Sequence, residues 1–431
     1  MIGTHVFATS TLDLRRIGFL GSCALFMLIE GFDLSAMPLA VPRVAAQWDV
    51  PPASFAFSLS AVIVGIGLSA ILIAPLGERF GRRQLILSSG LFTCAVTFGT
   101  ATAGSPLAFA IWRLLTGLGL GACLPNVTAC AAAIAPKHIK ARALALISVA
   151  IPIGSVIAGF LVGPMVALAG WQGIFIAAGA LTAIATLVLF LLLGKVANAT
   201  PPPSASVARF QSASSPKPPL REIFGAPYKK TTILLIALGS TNAFLLYMLA
   251  NWLPTLLPRA GMTMDMAARL SAIMQAGGIA GGLLIAQGMD KGRSYPAFNI
   301  GYVSAIGALL GLAMLRYSPS FWMPLLIILG GGITGAHTAI LIFGMSFFPD
   351  RLTSSFVGAF LALTRFGAIL GPLFGAAVLD RTVGIAPFMI AAMLPILLCL
   401  GMLLAIRQQA RRTATVFGTA TLHTEKIDTS T

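Results

Sequence analysis

Residues 17–41 read IGFLGSCALFMLIEGFDLSAMPLAV, an apolar run broken only by Glu30 and Asp33. An α-helix needs about 20 apolar residues to cross the hydrocarbon core of a bilayer, so the run predicts a membrane span. It is too long for the apolar stretch of a secretory leader and carries acids in its middle, so it reads as retained. A charge inside a span costs roughly 2.5–3.5 kcal/mol even on the lenient insertion scale. Two acids there mark where function is to be sought.

Outward from that run the pattern recurs. Apolar segments at 54–75, 84–104, 107–133, 141–169 and 172–194 complete one set. Segments at 231–257, 266–288, 295–315, 321–345, 354–379 and 384–406 form a second. The expectation is an all-α membrane protein with twelve transmembrane helices in two pseudo-symmetric six-helix bundles, residues 1–194 and 231–406. Residues 195–230 are rich in Pro, Ser and Ala and have little apolar area to bury, so a disordered cytoplasmic linker is expected. The Thr-rich tail, 407–431, is expected to be disordered too. Of the 431 residues, 57% are hydrophobic and only 9% charged, with a mean hydropathy of +0.93. A soluble domain carries about 25% charge, so a soluble class is excluded.

The net charge of +16 follows from where the basic residues fall. With the N-terminus in the cytoplasm, only Arg43, Arg259, Arg269, Arg316 and Arg381 of the 28 Lys and Arg lie outside, and Arg113 and Arg365 lie within spans. That asymmetry places both termini in the cytoplasm and requires an even number of spans. No basic run is interleaved with aromatics, so no nucleic acid is expected as a partner. Cys23, Cys94, Cys123, Cys130 and Cys399 sit in apolar runs at no metal-ligand spacing and read as small buried hydrophobes. No Gly-rich phosphate loop with a Lys, no metal-ligand cluster and no nucleophile elbow occurs. The expectation is a transporter without cofactor or metal, not an enzyme, driven by a gradient rather than by bound ATP.

Four charges lie inside the spans: Glu30, Asp33, Arg113 and Arg365. Glu30 and Asp33, three residues apart, share one helix face. At a 1.5 Å rise, Asp33 lies ~12 Å from the outer end of its span and Arg113 ~9 Å below its own entry, so an acid–Arg contact between the first and fourth spans is expected. Two carboxylates side by side at low dielectric do not both ionise cheaply, which makes the pair a candidate proton site. The alternative is a permanent ion pair that only fixes packing. Arg365, ~16 Å from the nearer end of its span, has no acid within that span and suits a carboxylate ligand held bidentately. His337 follows a glycine cluster and is a candidate substrate donor or proton relay. Asn126, Tyr247 and Asn251 are polar positions deep in the fourth and seventh spans, either ligand contacts or interhelical hydrogen bonds. Phe244 and Trp252 near a span's outer end suit ring stacking or the membrane interface.

The halves echo each other. Glu78-Arg79-Phe80-Gly81-Arg82 follows the second span and Asp290-Lys291-Gly292-Arg293 the eighth, while Gly163-Pro164 closes the fifth span much as Gly371-Pro372 sits in the eleventh. Internal repeats are a transporter plan. Gly277/Gly281, Gly278/Gly282 and Gly367/Gly371/Gly375 have the four-residue spacing that lets helices approach closely.

APLGERFGRR, residues 74–83, resembles the loop signature of the major facilitator superfamily, with Ala74 for its usual leading Gly and Glu78 for its usual Asp. The resemblance implies that Glu78, Arg79, Gly81, Arg82 and Arg83, and by the repeat Asp290 and Arg293, form gating loops. IEGFDL, RLLTGLGLGACLPN, YMLANWLPTLL and TRFGAILGPLFGAAVL resemble the aromatic acid:proton symporter family over about residues 17–406. That resemblance implies proton coupling at Glu30 and Asp33, substrate binding at Arg113 and Arg365, and a polar tenth-span position at His337. One departure is Ala133, three residues before Pro136, where the family carries a Glu. Gly159, Gly163 and Pro164 match only part of the efflux antiporters' fifth-span motif, which continues here as Ala167 and Leu168. The reading is a monomeric importer in the bacterial inner membrane that takes up a benzoate, hydroxybenzoate or hydroxyphenylpropionate with protons. A proton-coupled exporter of the same fold is the alternative.

Overall fold

The computed structural model describes residues 14–136, 139–196, 219–315, 317–381 and 384–424. Linker residues 197–218, the end of the tail at 425–431, and the orientation markers Lys137, Arg209, Lys217, Arg316 and Lys426 lie outside them. Among the described residues all regular structure is helical. The first half runs through α1 (Leu14–Trp48), α2 (Ala56–Leu72), a short α3 (Leu76–Phe80), α4 (Arg82–Thr100), α5 (Pro106–Ile134), α6 (Lys140–Ala169) and α7 (Gln172–Val196). The second runs through a short α8 (Pro219–Ile223), α9 (Lys229–Leu256), α10 (Met264–Asp290), α11 (Ser294–Met314), α12 (Pro319–Met345), α13 (Asp350–Arg381) and α14 (Ala386–Thr424).

Helix ends follow local chemistry. Ser105 accepts from the Ala108 N–H (3.2 Å) ahead of α5, with Pro106 at its first position, and Thr263 accepts from the Met266 N–H (3.2 Å) ahead of α10. Gly81 (φ 97°) and Gly292 (φ 69°) take left-handed conformations in the two corresponding loops, which a side chain would strain. Both halves thus place a positive-φ glycine in the corresponding loop.

Two compact units result, one of Met1–Val44 and Ala61–Ala213, the other of Ala45–Ser60 and Ser214–Thr431. Segment 45–60, expected in the first half, groups with the second unit. There the Ser60 hydroxyl, near the start of α2, donates to the Ile369 carbonyl at 2.8 Å. Within the first unit α1 meets α6 closely enough that a Cβ on Gly31 would overlap the Ile151 carbonyl oxygen, and one on Gly154 the Leu28 carbonyl. Within the second, α9 and α13 pack in the same way through Gly367 and Gly371, and α10 and α12 through Gly277, Gly281 and Gly330. Small residues let backbones approach where lipid supplies no hydrophobic drive.

Eleven described helices are long and apolar enough to cross a membrane. The expected span at 84–104 is α4, which falls outside that set. Its buried face carries Ser89, Thr93, Thr97 and Thr100, so its polarity is turned toward the interior of the first half.

Three further expectations are corrected. α14 continues through 407–424, where a disordered tail was expected; its first added turn, Gln408, Gln409, Ala410 and Arg411, is made of good helix formers. The last part of the linker is also ordered: Ile223 of α8 is fully buried, and Glu222 forms a two-bond pair with Arg351 at 2.8 and 2.5 Å. Trp252, placed at an interface or on a ligand ring by its sequence position, is fully buried. Its indole N–H donates to the Pro372 carbonyl at 2.8 Å, in the space left by Gly375.

Candidate functional site

In the first half, α1 brings Glu30 and Asp33 inward together, and the Ser155 hydroxyl of α6 donates to the Gly31 carbonyl (3.0 Å), pinning α1 between them. Arg113 of α5 reaches across with Nη1 at 3.2 and 3.0 Å from the two Asp33 carboxylate oxygens, and its Nη2 donates to the Asp33 carbonyl at 3.2 Å. The contact expected from matched depths is therefore made. Thr97 of α4 adds a long hydrogen bond to Asp33 Oδ1 (3.5 Å). Glu30, Asp33 and Arg113 all have 0% exposure. Both Glu30 oxygens lack a hydrogen-bond partner among the described residues, as does Arg113 Nε. The cluster holds two acids and one base, so one proton makes it neutral.

In this closed geometry two residues expected at substrate have protein partners. Arg113, expected to bind substrate, is committed to Asp33, since a guanidinium at low dielectric is held by the nearest carboxylate. Asn126, also expected at substrate, spends its amide N–H groups on the carbonyls of Ala74 (3.1 Å) and Ala122 (2.9 Å), tying α5 to the segment after α2. Gly77 is needed beside it, because a Cβ there would strike the Asn126 amide oxygen.

In the second half, Arg365 of α13 is half-buried and close enough to Tyr247 of α9 for its charge to act on the phenol. It makes no hydrogen bond or ion pair among the described residues. Asn251 donates to the Tyr247 carbonyl one turn back (2.7 Å), so its amide nitrogen serves its own helix. His337 Nδ1 on α12 is buried and has no hydrogen-bond partner among the described residues. One turn earlier, the Thr334 hydroxyl donates to Gln275 Oε1 of α10 at 3.4 Å.

The residues expected in gating loops are mostly at the surface. Glu78 and Arg82 are 3.8 Å apart, Arg79 lies over the Phe80 ring and Arg83 over Phe190, and Asp290 and Arg293 are exposed. Sequence reasoning missed Thr97, Ser155, Gln275 and Thr334, and the buried Tyr302–Asn242 hydrogen bond (2.9 Å). Their one signal was a polar residue in an apolar run. Cys23, Cys123 and Cys399 are buried as expected, while Cys94 and Cys130 are partly so, and all five thiols are free.

The family model of the Major Facilitator Superfamily matches residues 23–372. The gallate transporter of Pseudomonas putida is 28% identical over 383 residues, 84% of this chain and 85% of its own length. The 3-(3-hydroxy-phenyl)propionate transporter of Escherichia coli (strain K12) is 30% identical over 398 residues, 91% of this chain and 94% of its own. The 4-hydroxybenzoate transporter PcaK of Pseudomonas putida is 27% identical over 379 residues, covering 83% and 85%. Among solved structures, an inward-facing, unoccupied bacterial homolog of the human lysosomal transporter Spinster superposes with a TM-score of 0.76 at 17% identity, over 92% of this chain and 98% of that one. The D-xylose-proton symporter gives 0.69 at 16% identity, over 90% and 97%. Matched over most of its length by model, by relatives and by fold, this chain belongs to the Major Facilitator Superfamily, as a multi-pass transporter of the bacterial inner membrane rather than an enzyme.

Proposed function

We propose that the chain imports a small aromatic carboxylate together with a proton, by alternating access, through twelve spans with both termini in the cytoplasm. The names of its relatives supply the substrate class: gallate, 4-hydroxybenzoate and 3-(3-hydroxy-phenyl)propionate all pair a carboxylate with a hydroxylated ring. Arg365 makes no hydrogen bond or ion pair among the described residues and suits that carboxylate, with Tyr247 and His337 as further polar contacts. The observation that carries the coupling is Glu30, a fully buried carboxyl with no partner beside a closed Asp33–Arg113 pair. A group so placed is retained at a cost and marks a proton path. Because it is sealed here, the reading requires the first half to open around it during each cycle.

The test is uptake by the purified chain in proteoliposomes, with labelled 4-hydroxybenzoate outside and an imposed proton gradient directed inward. The expected result is transient accumulation above equilibrium, abolished by a protonophore and competed by gallate or 3-(3-hydroxyphenyl)propionate. Accumulation only when the gradient is reversed would replace import with export. No gradient-driven movement of any of the three acids would overturn the reading.

A further inference from the structure

The second half carries a cavity of about 520 Å³ on its apolar surface, between α10, α11 and α12. Its lining includes Gly281, Gly301 and Gly332, the glycines whose bare backbones permit the tight packing behind it. Leu284 and Ile300, also in the lining, are 66% and 70% exposed. In a membrane-spanning chain such surface meets acyl chains, and this part of it is concave. On α10 the lining runs from Gly277 to Gly288, about 16 Å at 1.5 Å per residue. That is close to half of a hydrocarbon core about 30 Å thick. The groove therefore has the depth of one leaflet.

Its charged lining residue is Arg293, in the loop after α10. Arg293 makes no ion pair or hydrogen bond through its side chain among the described residues. Asp290 and Lys291, exposed on the same turn, offset each other and are not in the lining. An apolar groove of leaflet length that ends at a free guanidinium is complementary to a single-chain depth of lipid beneath an anionic headgroup. Basic pockets between spans on the cytoplasmic side are where such headgroups dock.

We propose that this groove is a binding site for one anionic phospholipid, with an acyl chain along the glycines of α10, α11 and α12 and its phosphate on Arg293. The site is separate from Glu30, Arg113 and Arg365 and does not depend on which solute is carried. It is tested on the full chain by native mass spectrometry, adding phosphatidylglycerol or phosphatidylcholine of the same acyl composition. The expected result is one retained phosphatidylglycerol in preference to phosphatidylcholine. Arg293→Gln should weaken its retention about fivefold, the contribution of one basic residue at an anionic surface, and Arg293→Lys should keep most of it. Ala280→Phe, which fills the exposed wall of the groove, should remove bound lipid of either headgroup. Equal retention of the two lipids by the unaltered chain, or unchanged retention in Ala280→Phe, would overturn the proposal.

Discussion

Glu30 and Asp33 sit one helical turn apart, yet their chemistry differs. Asp33 is satisfied by Arg113 and Thr97, whereas both Glu30 oxygens are unpartnered. Removing one member of a buried pair costs about 3–5 kcal/mol, because the other is stranded. Asp33→Asn should therefore lower the thermal unfolding midpoint of the detergent-purified protein markedly, and its loss of transport would say little about protons. Glu30→Gln strands nothing and nearly preserves shape. It should leave the midpoint nearly unchanged and abolish gradient-driven accumulation; normal accumulation by this variant would remove Glu30 from the coupling path. Arg365→Lys keeps the charge but loses the planar fork. About tenfold weaker substrate binding by calorimetry, with the ligand-free midpoint unmoved, is expected for a ligand residue without a protein partner. The sequence could nominate these side chains because an intramembrane charge is rare for physical reasons. It could not divide the two acids into a paired one and a free one, since that depends on which carboxylate meets Arg113 across a contact of 80 residues' separation.

At the scale of the helix, the span pattern was legible almost throughout, since each apolar run must exceed the bilayer core. The exception is instructive. The polar residues of α4 that dilute its apolarity lie on its buried face, and one of them, Thr97, touches Asp33. The order of the linker's end is not legible from its Pro- and Ser-rich composition, because it rests on contacts outside that stretch: Arg351 pairs with Glu222 and the Thr232 hydroxyl donates to the Ile223 carbonyl. Glycine spacing showed which faces pack, not their partners. Gly154 illustrates the consequence: a Cβ there would run into the Leu28 backbone carbonyl, which cannot swing aside. Gly154→Ala should push α1 from α6 near the acids and destabilise the protein by about 1–3 kcal/mol, the range for overpacking a tight core. Gly307→Ala on α11, with open space around its Cβ position, should be neutral in the same melting experiment. Equal effects of the two would show that this backbone contact does not hold the first half together.

For the molecule as a whole, under the proposed coupling, the number of acids in the pair that take up a proton sets the energetics. An anion entering a negative cell with one proton carries no net charge, so its accumulation follows the pH gradient alone; a second proton adds about 2.3 kcal/mol of drive per 100 mV. The sequence, with two neighbouring acids, permits either. Of the two acids, Asp33 is engaged by Arg113 and Glu30 has no hydrogen-bond partner among the described residues, which supports one proton per substrate. In proteoliposomes with a clamped potential, accumulation of 4-hydroxybenzoate should then approach tenfold per unit of pH difference, and a potassium diffusion potential of 100 mV, negative inside, should add nothing. A two-proton cycle would instead respond to that potential by roughly fiftyfold at the limit, the equivalent of the same 2.3 kcal/mol. Uptake driven by potential without a pH gradient would mean that Asp33 leaves Arg113 and is protonated during the cycle, and the closed ion pair would then be a resting state rather than a fixed support.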